Sequence, residues 1–257
     1  MRTLYNNGYR YVGRYLTGTA GGVSKALTIE EANIILNGGL RFFPIYQTSA
    51  NRLEYFTSGK GKADAEAAIT AASALGIPED TIIYFAVDVD VLDGNITSQI
   101  IPYFEEVNEV MSKSIYKTGV YGTRNVCSRV SSKGYACSSF VGDMSTGYSG
   151  NLGFRLPENW AFDQFANLEG DKALGTGSGR IEIDKDAVSG RDQGVAKLNE
   201  VEDYTISSTD INFGESDEAV LEGPVINLLG IEIPLFEIDL EFNIPEYDFE
   251  ISIDSAE

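Results

Sequence analysis

The sequence contains no histidine, and this absence limits the chemistry that the chain can support. Histidine is the commonest general base and the commonest metal ligand in proteins. A serine–histidine triad and a histidine-based metal site are therefore excluded. Two cysteines are present, Cys127 and Cys137, which are too few for a disulfide framework or a zinc site. Without a histidine to activate a thiol, free structural thiols are favoured over a cysteine nucleophile.

Long apolar runs and an excess of basic charge are also missing. No apolar stretch approaches the ~18 residues that a membrane span needs. The amino-terminal segment MRTLYNNGYRYVG has no apolar signal core, so we expect a cytoplasmic protein or one exported without such a signal. The net charge of −20 has the wrong sign for binding nucleic acid.

The acidic charge is distributed unevenly along the chain. Residues 198–257 contain 17 Asp and Glu residues and no Lys or Arg, whereas residues 1–197 contain 22 acidic and 19 basic residues. This break predicts a globular domain over residues 1–197 and an acidic extension over residues 198–257. Apolar and acidic residues alternate in the extension, as in a β-strand, with interruptions at Pro234 and Pro245. Two interpretations stay open, namely a partly ordered acidic tail and a small β element that docks on the domain or a partner.

Short apolar segments alternate with helical patterns in the first domain. Strands are predicted at residues 11–16, 41–46, 81–87, 117–122, 138–143, 160–165 and 181–184. Helices are predicted between them, within residues 27–39, 62–78, 97–113 and 123–134. This alternation is typical of βα units, in either an eight-stranded barrel or an open doubly wound sheet. No glycine-rich phosphate-binding motif follows an early strand, so a nucleotide site has little support.

Polar and aromatic residues follow the predicted strands, where functional groups gather in such folds. Aromatic rings stack on sugar faces, and amides and carboxylates bind hydroxyl groups, so these residues suggest a carbohydrate-binding surface. The residues at the strand ends are Arg14, Tyr15, Tyr46, Gln47, Asp88, Asp90, Tyr121, Arg124, Asp143, Asp163, Gln164, Asp184 and Asp186.

The segment TIIYFAVDVDV ends an apolar strand with Asp88 and Asp90. Residues i and i+2 of a strand share a face, with Cα atoms roughly 6.5–7 Å apart. Two carboxylates so placed repel each other, so one is expected to keep its proton, as in the pair that hydrolyses glycosides. Two alternatives remain, in which the carboxylates only accept loop hydrogen bonds or bind a metal ion together with Asp93.

Seven ordered segments between about residues 2 and 195 resemble the glycoside-hydrolase-like domain of bacterial cell-wall proteins, which is akin to family 25 lysozymes. They are GYRYVGRYLTG, GLRFFPIYQ, TIIYFAVDVD, YKTGVYGTRNVC, GYACSSFVGDMSTGYSGNLGF, NWAFDQF and IDKDAVSGRD. The resemblance implies a modified TIM-type (β/α) barrel that acts on, or binds, peptidoglycan or a related polysaccharide. The first strand of such barrels would precede residue 1, so a barrel without its first strand is expected.

The same resemblance implies roles for individual residues. By position, Asp90 matches the glutamate that serves as the acid in family 25, and Asp88 and Asp184 match aspartates that stabilise charge or position water. Arg14, Tyr15, Tyr46, Gln47, Tyr121, Asp143, Asp163 and Gln164 would line the substrate groove. No metal or cofactor is predicted. The alternative is a weakly active or inactive module that binds cell-wall glycan.

Overall fold

A computed structural model describes residues 1–20 and 22–200, together with two strands at residues 225–228 and 231–234. The strands of the amino-terminal part are β1 (Tyr11–Tyr15), β2 (Thr19–Ala20), β3 (Val23–Ser24), β4 (Arg41–Tyr46), β5 (Ile82–Ala86), β6 (Lys117–Gly122), β7 (Ser138–Val141), β8 (Trp160–Leu168) and β9 (Ile183–Val188). The α-helices are α1 (Arg2–Asn6), α2 (Ile29–Asn37), α3 (Lys60–Ala74), α4 (Asp93–Asn95), α5 (Ile101–Met111) and α6 (Arg124–Ser132). Short 3-10 turns occupy Leu53–Tyr55, Gly170–Lys172 and Gly177–Gly179.

Seven of these strands form one sheet in the order β1-β4-β5-β6-β7-β8-β9. The pairings from β1 to β8 are parallel, and β9 pairs with β8 in the antiparallel direction. Strands β2 and β3 form a separate antiparallel ribbon. The first six predicted strands are confirmed, and the short apolar segments among them agree with a parallel sheet that is covered by helices.

The seventh predicted strand lies elsewhere and runs the other way. It was expected at residues 181–184 as a parallel strand, but β9 spans Ile183–Val188 and returns directly alongside β8. The only helical elements in the described connection between β8 and β9 are two short 3-10 turns. A parallel crossover needs a longer connection, usually with a helix, so this short connection gives an antiparallel pair.

The sheet curls until distant strands face each other. Phe43 of β4 stacks on Phe162 of β8, with ring centroids 3.8 Å apart and an interplanar angle of 14°. Three strands separate β4 from β8, so a flat sheet would place them roughly 19 Å apart at the usual strand spacing. Phe140 and Tyr84 complete this buried inner cluster. The curl therefore encloses a core on the concave side, while the helices pack on the convex side.

Closure of the sheet is incomplete in the part of the chain that the structure describes. Strands β1 and β9 are its two edges, and no described strand pairs with both of them. The architecture is thus a mixed α/β fold with a curled, half-barrel sheet of seven strands. The described residues do not form a full TIM-type barrel. The expectation was a modified TIM-type barrel without its first strand, and the described sheet is a half-barrel.

Local sequence signals explain where the helices begin. The side chain of Thr28 accepts a hydrogen bond from the backbone N–H of Glu31 at the start of α2, and Thr123 caps α6 in the same way through Val126. The third predicted helix begins earlier than expected, because α4 starts at Asp93 and continues through a π turn, Ile96–Ile100, into α5. Pro102 lies just after that turn. Proline lacks a backbone N–H, and a wider turn accommodates the missing hydrogen bond.

Among the described residues, no helix combines the length and apolar character that a membrane crossing requires.

The chain divides into two units, Met1–Asp203 and Tyr204–Glu257. The second unit contains an antiparallel pair, β10 (Val225–Leu228) and β11 (Ile231–Pro234). Strand β11 falls at the start of the alternating pattern that the sequence shows. The rest of that pattern, from residue 235 onward, lies outside the described residues.

Deleting residues 205–257 is expected to leave the first unit soluble, with a melting temperature within a few degrees of the full chain. The reason is the charge break near residue 198 and the division of the chain into two compact units. Circular dichroism melting of both chains tests this expectation. Insoluble or unfolded truncated protein would show that the acidic extension belongs to the core of the first unit.

Candidate functional site

A cavity of about 360 Å³ opens between the two edge strands, β1 and β9. Its lining combines aromatic, aliphatic and acidic side chains, including Tyr11, Tyr15, Ile45, Tyr121, Phe140, Gln164, Ile183, Asp184 and Asp186. A larger groove of about 600 Å³ lies between Ser128 and Asn159, where Glu158 supplies the carboxylate. The smaller cavity is richer in titratable groups, and it contains six of the thirteen strand-end residues singled out in the sequence, namely Arg14, Tyr15, Tyr121, Gln164, Asp184 and Asp186.

Asp184 and Asp186 project from the same face of β9, because they stand two residues apart in a strand. Asp186 is partly buried, and its Oδ1 has no hydrogen-bond partner among the described residues. Burial raises the pKa of Asp186 to about 7, with further contributions from the charges of Asp184 and Asp163. Partial desolvation and the charge of Glu169 also raise the pKa of Asp184. Asp186 can therefore hold a proton near neutral pH.

A hydrogen-bonded chain joins three strands at the mouth of this cavity. The hydroxyl of Tyr121 on β6 donates to Gln164 Oε1 on β8 at 2.9 Å. Gln164 Nε2 donates in turn to Asp184 Oδ2 on β9 at 3.2 Å. Burial, followed by the charge of Asp88, raises the pKa of Tyr121 far above its ordinary value. Tyr121 consequently stays neutral and acts as a hydrogen-bond donor.

Asp88 lies on the loop after β5, and the loop after β4 holds it. Gln47 Nε2 donates to Asp88 Oδ2 at 3.2 Å, and the backbone N–H of Asp88 donates to the carbonyl of Ala50 at 2.8 Å. Burial raises the pKa of Asp88, against the opposing effects of Gln47 and Lys25. Asp88, Asp184 and Asp186 all raise the pKa of Tyr15, after the larger effect of burial. Asp184 and Asp186 line the cavity between β1 and β9, whereas Asp88 lines a small separate pocket with Tyr121 and Tyr148.

Asp90 does not join this group, which corrects the expectation of a face shared with Asp88. Strand β5 ends at Ala86, so the alternation of a strand does not continue through the two aspartates. Asp90 is exposed, and its Oδ1 accepts hydrogen bonds from the backbone N–H and the hydroxyl of Ser149 at 2.9 Å and 2.7 Å. Burial alone would raise the pKa of Asp90, but these hydrogen bonds, with one from Gly150, lower it. A group with a lowered pKa is a poor proton donor near neutral pH.

A second acidic pair lies beside β8. Arg124 binds Asp143 through both carboxylate oxygens, so the charge of Asp143 is already paired. Asp163 is partly buried, and its Oδ1 has no partner among the described residues. Burial and the charge of Asp143 raise the pKa of Asp163 to about 6, against the lowering effect of Arg124. Asp163 thus resembles Asp186 in its environment, but its pKa is raised less.

Two other predicted groove residues have partners of their own. Arg14 forms a two-point ion pair with Glu31, at 2.7 Å for each nitrogen–oxygen contact. Tyr46 is buried, and its hydroxyl donates to Asp64 at 3.2 Å. Arg14 still lines the cavity through its place on β1, whereas the hydroxyl of Tyr46 is turned towards α3.

The structure does not favour a metal site made of Asp88, Asp90 and Asp93, because each of these carboxylates binds different partners. Asp93 accepts from Asn125 at 2.7 Å and pairs with Arg129, and Asp90 accepts from Ser149. Within the described part of the chain, no group of three or more acidic, cysteine or histidine side chains is arranged to hold a metal ion.

The sequence alone did not single out Asp186 as the carboxyl group whose pKa is raised to about 7. The sequence places Asp186 among the strand-end residues but not among the predicted catalytic residues. The segment IDKD carries the same i, i+2 spacing as DVD, and that spacing was the available signal. In β9 the spacing does place two carboxylates on one face, because the strand continues through both of them.

The chain belongs to the family described as "Rv2525c-like, glycoside hydrolase-like domain", whose model matches residues 2–188. Two uncharacterized proteins of Bacillus subtilis are similar to it. YbfG is 44% identical over 266 residues, covering 98% of this chain and 35% of YbfG. FadG is 49% identical over 201 residues, covering 77% of this chain and 34% of FadG. The chain therefore spans about a third of the length of these curated relatives.

Crystal structures of the Mycobacterium tuberculosis Tat-secreted protein Rv2525c share the fold. The complex with HEPES has a TM-score of 0.61 and 18% identity, covering 76% of this chain and 92% of that chain. The complex with L-tartrate has a TM-score of 0.59 and 17% identity, covering 72% and 88%.

Proposed function

We propose that this chain is a glycoside-hydrolase-like domain that cleaves the glycan strands of bacterial peptidoglycan by acid and base catalysis on carboxyl groups. The observation that carries this proposal is the Asp186 carboxyl, whose pKa lies near 7 and which lines the same cavity as Asp184. Glycoside hydrolysis needs one carboxyl that holds a proton and another that is ionised.

In this proposal Asp186 is the acid that protonates the leaving glycosidic oxygen. Asp88 and Asp184 stabilise positive charge on the sugar ring or position the attacking water. Tyr121 and Gln164 orient Asp184 through their hydrogen bonds. Tyr15, Gln47 and Asp163 contribute to the surface that binds the sugar. The role of acid that the resemblance to family 25 lysozymes gives to Asp90 thus passes to Asp186.

The choice of peptidoglycan rests on the sequence resemblance to cell-wall proteins and on the character of the cavity. Tyr11, Tyr15 and Tyr121 offer aromatic faces, and carboxyl and amide groups offer partners for sugar hydroxyls. Membership of a glycoside-hydrolase-like family supports a sugar ligand as well.

A second candidate function is a glycan-binding module without catalysis. The observation that favours it is the position of Asp90, which matches the acid of family 25 lysozymes by sequence resemblance but whose carboxylate accepts two hydrogen bonds from Ser149. In that case the cavity would hold sugar units without cleaving them.

Incubation of the full chain with purified bacterial cell walls tests both functions. A fall in turbidity with release of new reducing ends is expected if the chain cleaves glycan strands. Sedimentation of the chain with the walls, without new reducing ends, would support the binding module instead. Absence of both results would contradict both functions.

A further inference from the structure

A buried carboxylate lies behind the loop that holds Asp88. Asp64 of α3 is 1% exposed and accepts hydrogen bonds from three tyrosine hydroxyls. Tyr46 donates to Oδ1 at 3.2 Å, Tyr55 donates to Oδ2 at 2.6 Å, and Tyr103 donates to Oδ2 at 2.8 Å. Lys60 places its Nζ 2.7 Å from Oδ1. A buried charge is costly unless it is paired and hydrogen-bonded, and Asp64 meets this condition fully.

The packing of α3 against α5 brings these groups together. Gly61 lies so close to the backbone carbonyl of Tyr103 that a β-carbon there would overlap with it. This close approach sets Asp64, one turn further along α3, against the Tyr103 side chain of α5. The network is therefore built into the contact between two helices, outside the cavity that holds Asp184 and Asp186.

The chain from the end of β4 into the following loop joins this network to Asp88 through alternate residues. Thr48 Oγ1 lies 2.6 Å from the Tyr55 hydroxyl. Because the single Tyr55 proton is donated to Asp64, Thr48 must be the donor in this contact. Tyr46 and Thr48 thus connect to Asp64, while Gln47 between them donates to Asp88. Ala50 then accepts the backbone N–H of Asp88.

We propose that Asp64 and Tyr55 are positioning residues that fix the Gln47 side chain against Asp88, on the basis of the function proposed above. Hydrogen bonds to the buried network fix Tyr46 and Thr48, the residues on either side of Gln47. The Gln47 side chain is therefore held in the position where it donates to Asp88. Neither Asp64 nor Tyr55 lines the cavity between β1 and β9. Their influence on a bound sugar would pass through the loop and Asp88.

The structure supplies a matched pair of variants for testing this arrangement. Tyr55→Phe removes one hydroxyl from Asp64 Oδ2 and also removes the contact to Thr48. Tyr103→Phe removes one hydroxyl from the same oxygen but leaves the loop contact in place. Asp64→Asn would test the carboxylate directly, but it leaves Lys60 unpaired beside a buried amide and risks unfolding. The tyrosine variants are therefore the primary comparison.

The quantity to measure is the pKa of Asp88. It is obtained from a pH titration of the full chain in which carbon-13 NMR monitors the Asp88 carboxyl group. The Gln47 hydrogen bond lowers this pKa, so a displaced Gln47 raises it. The other groups that face Asp88 are Lys25, Tyr15, Tyr121 and Tyr148, and neither variant removes any of them. Gln47→Leu serves as the reference for complete loss of the hydrogen bond.

We expect Tyr55→Phe to raise the Asp88 pKa by at least about half a pH unit, towards the value in Gln47→Leu. Tyr103→Phe should lower the melting temperature about as much as Tyr55→Phe does, because each variant removes one hydrogen bond from Asp64. Unlike Tyr55→Phe, it should leave the Asp88 pKa unchanged. Equal shifts in both tyrosine variants, or no shift in Tyr55→Phe, would overturn the proposal. If the wild-type chain cleaves glycan, kcat should fall about tenfold in Tyr55→Phe alone. The NMR result stands even if no cleavage is found, so failure of the proposed function is distinguishable from failure of this inference.

Discussion

Replacement of Asp186 by asparagine is expected to abolish glycan cleavage while leaving the chain folded. The amide cannot donate a proton to the leaving oxygen, and a positioned general acid contributes about 10²–10⁴-fold to the rate. The substitution keeps the size of the side chain in its partly buried place on β9. The measurement is the initial rate of reducing-end release from purified cell walls, compared with that of the wild-type chain.

Asp90→Asn is the matched control, because it makes the same chemical change on the exposed loop after β5. We expect it to retain most of the activity, since Asp90 is hydrogen-bonded to Ser149 and has a lowered pKa. If Asp90→Asn is inactive and Asp186→Asn is active, the acid is Asp90 and our assignment is wrong. Circular dichroism of both variants would show that any loss of activity does not come from unfolding.

Asp186 should also make the stability of the first unit depend on pH. Its pKa is about 7 in the folded state, compared with about 3.9 for an unperturbed aspartate. Between these two values the folded state binds more protons than the unfolded state. The free energy of unfolding therefore falls as the pH rises from about 4 to about 7, and the loss is complete above about pH 7.

The Asp186→Asn variant should lose this pH dependence. Each pKa unit corresponds to about 1.36 kcal/mol, so the buried carboxylate costs up to about 4 kcal/mol at pH 8. We expect the variant to be more stable than the wild-type chain by about 2–4 kcal/mol at pH 8 and by little at pH 4. The single tryptophan, Trp160, lies on β8 beside β9. Urea unfolding followed by its fluorescence reports on this part of the chain.

The same measurement on Asp163→Asn gives a graded comparison. Its pKa is raised only to about 6, and its side chain is more accessible to water, so a smaller gain is expected at pH 8. A pH dependence that is identical in the wild-type chain and in Asp186→Asn would show that the Asp186 pKa is not raised. A stable Asp186→Asn variant without activity would indicate that the protein keeps a destabilising carboxyl group for its chemistry.

Much of the local structure could be predicted from residue patterns. The apolar runs at residues 41–46 and 81–87 match β4 and β5, because a strand that is covered on both faces needs a largely apolar segment. The helices predicted within residues 27–39 and 123–134 begin directly after Thr28 and Thr123, whose side-chain oxygens each satisfy a free backbone N–H. The placement of Asp88, Tyr121 and Gln164 followed from the rule that parallel strands end at one edge, whereas Asp184 stands near the start of the antiparallel strand β9.

The choice among the carboxyl groups was decided by tertiary structure. The same spacing occurs at Asp88–Asp90 and at Asp184–Asp186, but β5 ends before the first pair and β9 runs through the second. The pairing of β9 with β8 and the burial of Asp186 depend on contacts between segments far apart in the chain. Tyr46 likewise faces Asp64 because α3 packs behind β4, which the spacing of residues cannot show. Local patterns set which residues lie near a strand end, whereas long-range packing sets which of them lose water, and loss of water determines where the proton stays.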